Sequence, residues 1–165
     1  MNFLTHIDIK PLPAPITHQQ SILLVGSCFT EHIGNSLKDL KFNVLQNPNG
    51  ILFEPMSVCR SLVSYLQNKQ YGADDLFLYN ELWQSWDHHS RFSNPDQETA
   101  LANINASQQQ AHELVKKADW LIITLGSSFV YKLEEENRFV ANCHKAPGQW
   151  FDKYLMPIDE QIALL

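Results

Sequence analysis

Four consecutive apolar residues, Ile22-Leu23-Leu24-Val25, run into Gly26-Ser27-Cys28, after which the apolar period changes from unbroken to helical. That change predicts a buried strand over residues 21–25, a sharp corner, and a helix to about residue 40. Phe29, Ile33, Leu37 and Leu40 recur at helical spacing and are expected to form the buried stripe of that helix. Residues 42–45 read as a second strand. The turn-rich stretch that follows, with Asn47-Pro48-Asn49-Gly50 inside it, reads as a loop at the same sheet end as the first corner. Pro55 suits the first turn of a second helix, with Val58, Leu62 and Leu66 as its buried stripe.

Beyond residue 75 the pattern shortens. Residues 76–79 and 82–86 flank Asn80-Glu81 as a β-hairpin, and the stretch from Asp87 to Ser93 is a polar loop. Asn94 is expected to cap a long helix, with Pro95 at its first position and Gln97 three residues on. Leu101, Ile104, Ala111, Val115 and Ala118 mark its apolar face. Residues 120–125 are a nearly continuous apolar run, the pattern of a strand covered on both faces, and end in Gly126-Ser127-Ser128. Residues 130–133 and 139–141 make a second hairpin around the exposed turn at Glu134-Glu135-Glu136. A last helix begins near Pro157, with Ile158, Ile162 and Leu165 on one face.

Strand, helix and strand in succession, ending in polar loops with glycine, predict an α/β fold with a parallel sheet and a ligand site at the strands' C-terminal ends. Residues 1–20, with Pro11, Pro13 and Pro15, read as an extended arm. Residues 1–165 are read as one domain. Its three parallel-type strands are fewer than doubly wound sheets usually hold, so the expectation is a domain that continues past Leu165. An unfinished sheet would leave an edge or apolar face for a second copy, which leaves room for a homodimer.

Composition narrows the function. With 165 residues, 44% hydrophobic and 18% charged, the chain is globular. A net charge of −6, with no basic cluster beyond Lys116-Lys117, argues against nucleic acid as a partner. No apolar run approaches the roughly 20 residues of a membrane span, and the N-terminus lacks a signal peptide's basic start and apolar core. Cys28, Cys59 and Cys143 are odd in number and scattered, which argues against a disulfide framework and for a cytoplasmic protein.

The corner carries the candidate chemistry. A strand turning sharply into a helix presents its corner residue to solvent, and Ser27 and Cys28 are the two nucleophile-capable side chains there. A helix N-terminus favours an anion, so a thiol placed there gains reactivity. His32, His88, His89 and His144 are the local candidates for a base, and no spacing fixes any of them at the corner. Each residue also has a plainer role: Cys28 as a small packing residue, Gly50 as a turn glycine, Ser127-Ser128 as caps, Asp87-His88-His89 as a solvated loop, and Trp83 and Trp86 as core or pocket wall. A metal site from His88, His89, Cys143 and His144 is disfavoured, since no C-x-x-C or H-x-x-x-H pair exists. No metal and no cofactor are expected.

Gly26-Ser27-Cys28-Phe29-Thr30 resembles the motif of the GSCFA domain family, with Thr30 in place of its final Ala. The stretches from Asn47 to Pro55, Thr124-Leu125-Gly126-Ser127-Ser128 and Asn142-Cys143-His144-Lys145 resemble it too, so the likeness covers about residues 20–150. That family is similar to SGNH (GDSL-like) hydrolases, which implies a flavodoxin-like three-layer α/β/α fold, here with one or two β-hairpin insertions. The resemblance places Cys28 at the nucleophile position, Ser27 where an Asp usually stands, and Gly50 as an oxyanion donor. Gly126 falls in the Gly-x-Asn-Asp block, with Ser128 in place of the oxyanion Asn. The Asp-x-x-His block that supplies the base has no match, so the base is expected beyond residue 165 and this chain alone is expected to be weak or inactive. The implied activity is ester hydrolysis or acyl transfer on a small-molecule ester or acylated carbohydrate, with Asn49, Trp86, His88 and His89 as further substrate contacts. The alternative is a non-catalytic carbohydrate or acyl-ligand binding domain, its site lined by Trp83, Trp86, His88 and His89.

Overall fold

The computed structural model describes residues 7–165. Residues 7–20 form a largely exposed arm without helix or strand, and the first six residues of the predicted arm lie outside the described residues. The chain then builds a mixed α/β fold around a parallel sheet of order β2-β1-β5, from β1 (Ser21–Gly26), β2 (Asn43–Gln46) and β5 (Trp120–Thr124). Ile22, Leu23, Leu24 and Val25 are fully buried, so the central strand is covered on both faces. Each such side chain contributes about 1.5–3 kcal/mol relative to exposure. Leu23 and Val25 pack against Val58 and Tyr65 of α2 (Pro55–Gln67) and Ala111 and Leu114 of α3 (Gln97–Val115).

The first helix, α1 (Cys28–Asp39), follows the corner as expected, but the predicted stripe is turned outward. Thr30 and Gly34 are its buried residues, whereas Phe29 is 60% exposed and Ile33 and Leu40 are exposed as well. A Cβ on Gly34 would stand 1.9 Å from the Gln46 side chain of β2. The helix therefore seats on β2 through small residues, at an approach too close for large ones. In α2 the buried position expected of Leu66 belongs to Tyr65, and Leu66 is 60% exposed.

Asp96, not Asn94, caps α3: its carboxylate accepts the Thr99 N–H at 2.8 Å. Asn94 is drawn instead into a backbone pair with Trp83. Ala100, Ile104, Gln108, Ala111 and Leu114 line the buried side of α3, while Leu101, Val115 and Ala118 flank it half-buried. β5 is not covered on both faces as expected, since Leu121 is 49% exposed and none of its residues is fully buried, and it lies at the edge of the sheet.

Two antiparallel insertions complete the fold. β3 (Phe77–Tyr79) and β4 (Leu82–Gln84) form the expected hairpin. Asn80 and Glu81 both take positive φ, 50° and 63°, the backbone a two-residue hairpin turn needs. β6 (Phe129–Leu133) and β7 (Arg138–Val140) form the second, with a further strand on the other side of β6, β8 (Phe151–Leu155). The closing helix is α4 (Ile158–Leu164), with Ile158 and Ile162 exposed. Among the described residues no helix is long and apolar enough to cross a membrane.

Candidate functional site

Three loops meet at the C-terminal end of the parallel sheet, and backbone hydrogen bonds knit them together. Gly26 donates its N–H to Asn47 Oδ1 at 2.8 Å and accepts the Leu52 N–H on its carbonyl at 2.9 Å. The Phe53 carbonyl accepts the N–H groups of Gly126 and Ser127 at 2.7 and 3.0 Å. At this crossing Ser27 is 7% exposed and held by Thr124. Its N–H donates to Thr124 Oγ1 at 3.1 Å, and its hydroxyl meets the same oxygen at 2.9 Å. The Thr30 hydroxyl joins them, making a buried cluster of three hydroxyls.

That cluster has a consequence for the helix. The Ser27 side chain occupies the N-cap position of α1 without making a capping hydrogen bond, because its oxygen is turned toward Thr124. The first amides of a helix have no intrahelical acceptor, so those of Cys28 and Phe29 remain available to a ligand oxygen. Cys28 itself is exposed at the first residue of this 12-residue helix. His32, also exposed, lies four residues on, which places it on the same helix face one turn away. Residues four apart on a helix are neighbours on its surface, so the two side chains are within reach of each other.

The other candidates are distributed differently. The Gly50 N–H donates to Asn47 O at 2.7 Å, closing a turn, and is not offered to a ligand. Gly50 is instead required by its φ of +85° and by contact with His89, whose Cβ would lie 2.1 Å from an added Cβ. The Gly126 amide is engaged by Phe53, and the Ser128 hydroxyl donates to Gln161 Oε1 of α4 at 3.3 Å. The Gly50 and Gly126 amides and the Ser128 hydroxyl, expected from the resemblance near the oxyanion, thus already have partners within the protein.

Asn49 is buried and ties loops together: its N–H donates to the Tyr65 hydroxyl, its Nδ2 to Asp87 O, and its carbonyl accepts from His89. His88 is 1% exposed, so the loop around it is not simply solvated. Its Nδ1 pairs with Ser85 Oγ at 2.9 Å, its ring packs edge-on to Tyr71 and Phe92, and burial pushes its pKa down to about 4. His89 Nδ1 accepts the Arg91 N–H, and burial, then Arg91, lowers its pKa. His144 Nε2 bonds the Ser85 carbonyl at 2.8 Å, so that nitrogen carries the proton. Trp86 is 5% exposed and stacks on Phe77 at 3.6 Å, while Trp83 packs with the separate cluster of Tyr71, Leu76, Ala100 and Ile104. The two tryptophans and two histidines thus do not form one wall.

Among the other thiols, burial pushes Cys143 up to about 11, and burial with the nearby Glu54 raises Cys59. Among the described residues no three His, Cys, Asp or Glu gather to hold a metal ion.

Asn47, Thr124 and Arg91 are the site residues that sequence reasoning missed. Arg91 reaches Glu31 in the first turn of α1 and Asn47 O, each at 2.5 Å, and so clamps the 87–91 loop onto the corner. Asn47, 1% exposed with φ 44°, had a local signal, since Asn tolerates the left-handed region and its side chain bonds backbone. Replacing Asn47 with Ala strands the buried Gly26 N–H and is expected to cost about 1–3 kcal/mol in urea unfolding. Asn47→Asp keeps the acceptor and should recover most of that loss. Equal stability of the Ala variant and the parent would show that this contact is not holding the corner.

A model described as GSCFA family matches residues 21–165 of the chain. No curated protein and no solved structure matches it.

Proposed function

The chain belongs to the GSCFA family, and from that premise we propose that it hydrolyses esters or transfers acyl groups, on an SGNH-hydrolase-like, flavodoxin-like scaffold, through a covalent intermediate on Cys28. The observation that carries this reading is the exposed thiol at an uncapped helix N-terminus. Its thiolate attacks the ester carbonyl, forming a C–S bond. The carbonyl oxygen takes the negative charge and accepts from the Cys28 and Phe29 amides. Collapse breaks the C–O bond, and the alcohol leaves with a proton. Water or an acceptor hydroxyl then attacks the thioester and releases the thiol.

In this reading His32, one turn along α1 from Cys28, takes the thiol proton and returns it to the leaving alcohol. Ser27, the alternative nucleophile, is held inward by Thr124. Phe29 and Phe53, 60% and 46% exposed, flank the corner with apolar surface that suits an acyl group.

The test is acylation by p-nitrophenyl acetate, with the adduct located by peptide mass spectrometry. One equivalent of p-nitrophenol should appear as a burst, with the acetyl group on Cys28. Cys28→Ala should abolish the burst, and His32→Gln should slow it about a hundredfold. Iodoacetamide near neutral pH should likewise label Cys28 well before Cys59 or Cys143, whose thiols are held protonated by burial. An adduct elsewhere, or a burst unchanged in Cys28→Ala, would overturn the assignment.

A further inference from the structure

Between the β3–β4 hairpin and the β6–β7 turn lies a cleft of about 640 Å³, lined by Phe77, Leu78, Trp86 and Trp150. None of its residues belongs to the Cys28 corner, so what it does is independent of the acyl-transfer reading. Phe77 and Leu78 are consecutive in a strand, and their side chains stand on opposite faces of the hairpin. Both border the cleft, which therefore runs along the open edge of β3 and not across one face.

That edge carries free backbone groups. In an antiparallel pair, facing residues alternate between exchanging both hydrogen bonds and exchanging none. Leu78 faces Trp83, and Trp83 gives its N–H to the Asn94 carbonyl at 2.8 Å and accepts the Asn94 N–H at 3.1 Å. Leu78 and Trp83 are thus a pair that exchanges none, and the Leu78 N–H and carbonyl point out of the hairpin. An open strand edge is a template for another strand, and this one has apolar surface beside it. Leu78 is 58% exposed and Trp150 38%. Tyr79 meets Trp150 edge to face, with ring centroids 5.4 Å apart, and Phe77 stacks on Trp86. The aromatic rings therefore gather on the face to which Phe77 and Tyr79 point.

Charge decides what kind of strand fits. Glu134, Glu135 and Glu136 border the same cleft and are exposed. Of the three, only Glu136 meets a cation among the described residues, Arg138 at 3.8 Å, and Asp87 holds Arg138 more closely at 2.8 Å. An acidic segment would be repelled here. A guanidinium or ammonium group gains twice, from the carboxylates and from the face of an exposed tryptophan. A second copy of this chain is poorly suited, because its net charge is −6 and its extended arm offers only Lys10 among three prolines that lack the N–H a ladder needs. We propose that this cleft docks an extended basic segment of a partner protein, which adds a strand to the open edge of β3 and lays Arg or Lys side chains over Trp150 beside Glu134 and Glu135. Side chains of facing residues share a face, so the residue opposite Leu78 lies between two neighbours that point toward the aromatic rings. Basic residues two positions apart are therefore the pattern that suits the cleft.

The experiment is fluorescence polarisation of an N-terminally labelled Thr-Arg-Val-Arg-Thr peptide titrated with the protein. Saturable binding is expected, and none for Thr-Glu-Val-Glu-Thr. Thr-Val-Arg-Arg-Thr, of the same composition but with adjacent basic residues, should bind about threefold to tenfold more weakly. The first peptide methylated at its valine nitrogen should weaken by about as much, since it loses its donor to the Leu78 carbonyl. Glu134→Gln/Glu135→Gln should weaken binding about tenfold without moving the thermal melt, whereas Glu98→Gln/Glu113→Gln, which removes the same charge from α3, should leave binding unchanged. No saturable binding of the first peptide, equal binding of the three basic peptides, or equal weakening by the two double variants would overturn the proposal. So would a concentration-dependent dimer that Leu78→Lys disperses, which would give the cleft to a second copy.

Discussion

Gly26→Ala is expected to abolish or nearly abolish folding, with a loss on the order of 4 kcal/mol or more in urea unfolding. Two independent costs coincide at this residue. Its φ of +146° lies where L side chains are rarely found, and an added Cβ would stand 2.0 Å from the Thr124 carbonyl oxygen. The obstructing atom is backbone of a paired strand, so no rotamer change can relieve the clash. Moving β5 away would break the Gly26–Thr124 register and the Ser27 N–H bond to Thr124. The same shift would scatter the three hydroxyls that keep Ser27 from capping α1, so any residual fold should also lose Cys28 acylation. Gly72 and Gly148 have open space where a Cβ would stand and serve as controls, with Gly→Ala expected to stay within about 0.5 kcal/mol of the parent. A Gly26→Ala variant within about 1 kcal/mol of the parent would show that the corner yields more easily than its geometry says.

What the sequence made legible was set by how local the cause was. The β1 corner, both hairpins and the start of α2 follow from residues within a few positions of one another, and they stand where expected. The outward stripe of α1 could not be read that way, because Gly34 is buried by Gln46 on another strand. Hydropathy marked Phe29 and Ile33 as core, but the close approach went to the small residues. β8 was missed for a related reason: its pattern, Phe151-Asp152-Lys153-Tyr154-Leu155, has no alternation, and it is a strand because β6 offers a ladder. Between Asn94 and Asp96 the cap was decided by Trp83, which engages Asn94 from across the hairpin. At the site, an exposed Cys28 was legible from the corner. The engaged amides of Gly50 and Gly126 were not, since their acceptors, Asn47 and Phe53, are set by how three loops cross.

Acid should weaken the fold well before any carboxylate that stabilises it titrates, and His88 is the main cause. Burial first, then Lys69 and His144, pushes its pKa from 6.5 to about 4, against the raising influence of Asp87 and Asp75. The folded protein thus binds this proton more weakly than the unfolded chain. The stability it confers is complete above the unfolded value, is lost as pH falls from about 6.5 to about 4, and changes no further below that. The full difference is on the order of 3 kcal/mol, with about 2 kcal/mol gone by about pH 5. His89 and His144, also lowered chiefly by burial, act in the same direction. Glu54 opposes them in the lower part of the window, because burial raises its pKa and protonation relieves that penalty. Asp87 stays ionised throughout: burial alone would raise it, but Arg138, Arg60 and Lys69 outweigh burial and hold it low. Urea unfolding across this range should therefore show a steep acid limb, and His88→Gln, which keeps a polar partner for Ser85 but cannot titrate, should flatten it by about 2 kcal/mol between about pH 7 and pH 5. The variant should lose some stability at neutral pH, so the informative quantity is the slope with pH and not the absolute value. An acid limb equally steep in His88→Gln would assign the proton uptake to His89 and His144 instead.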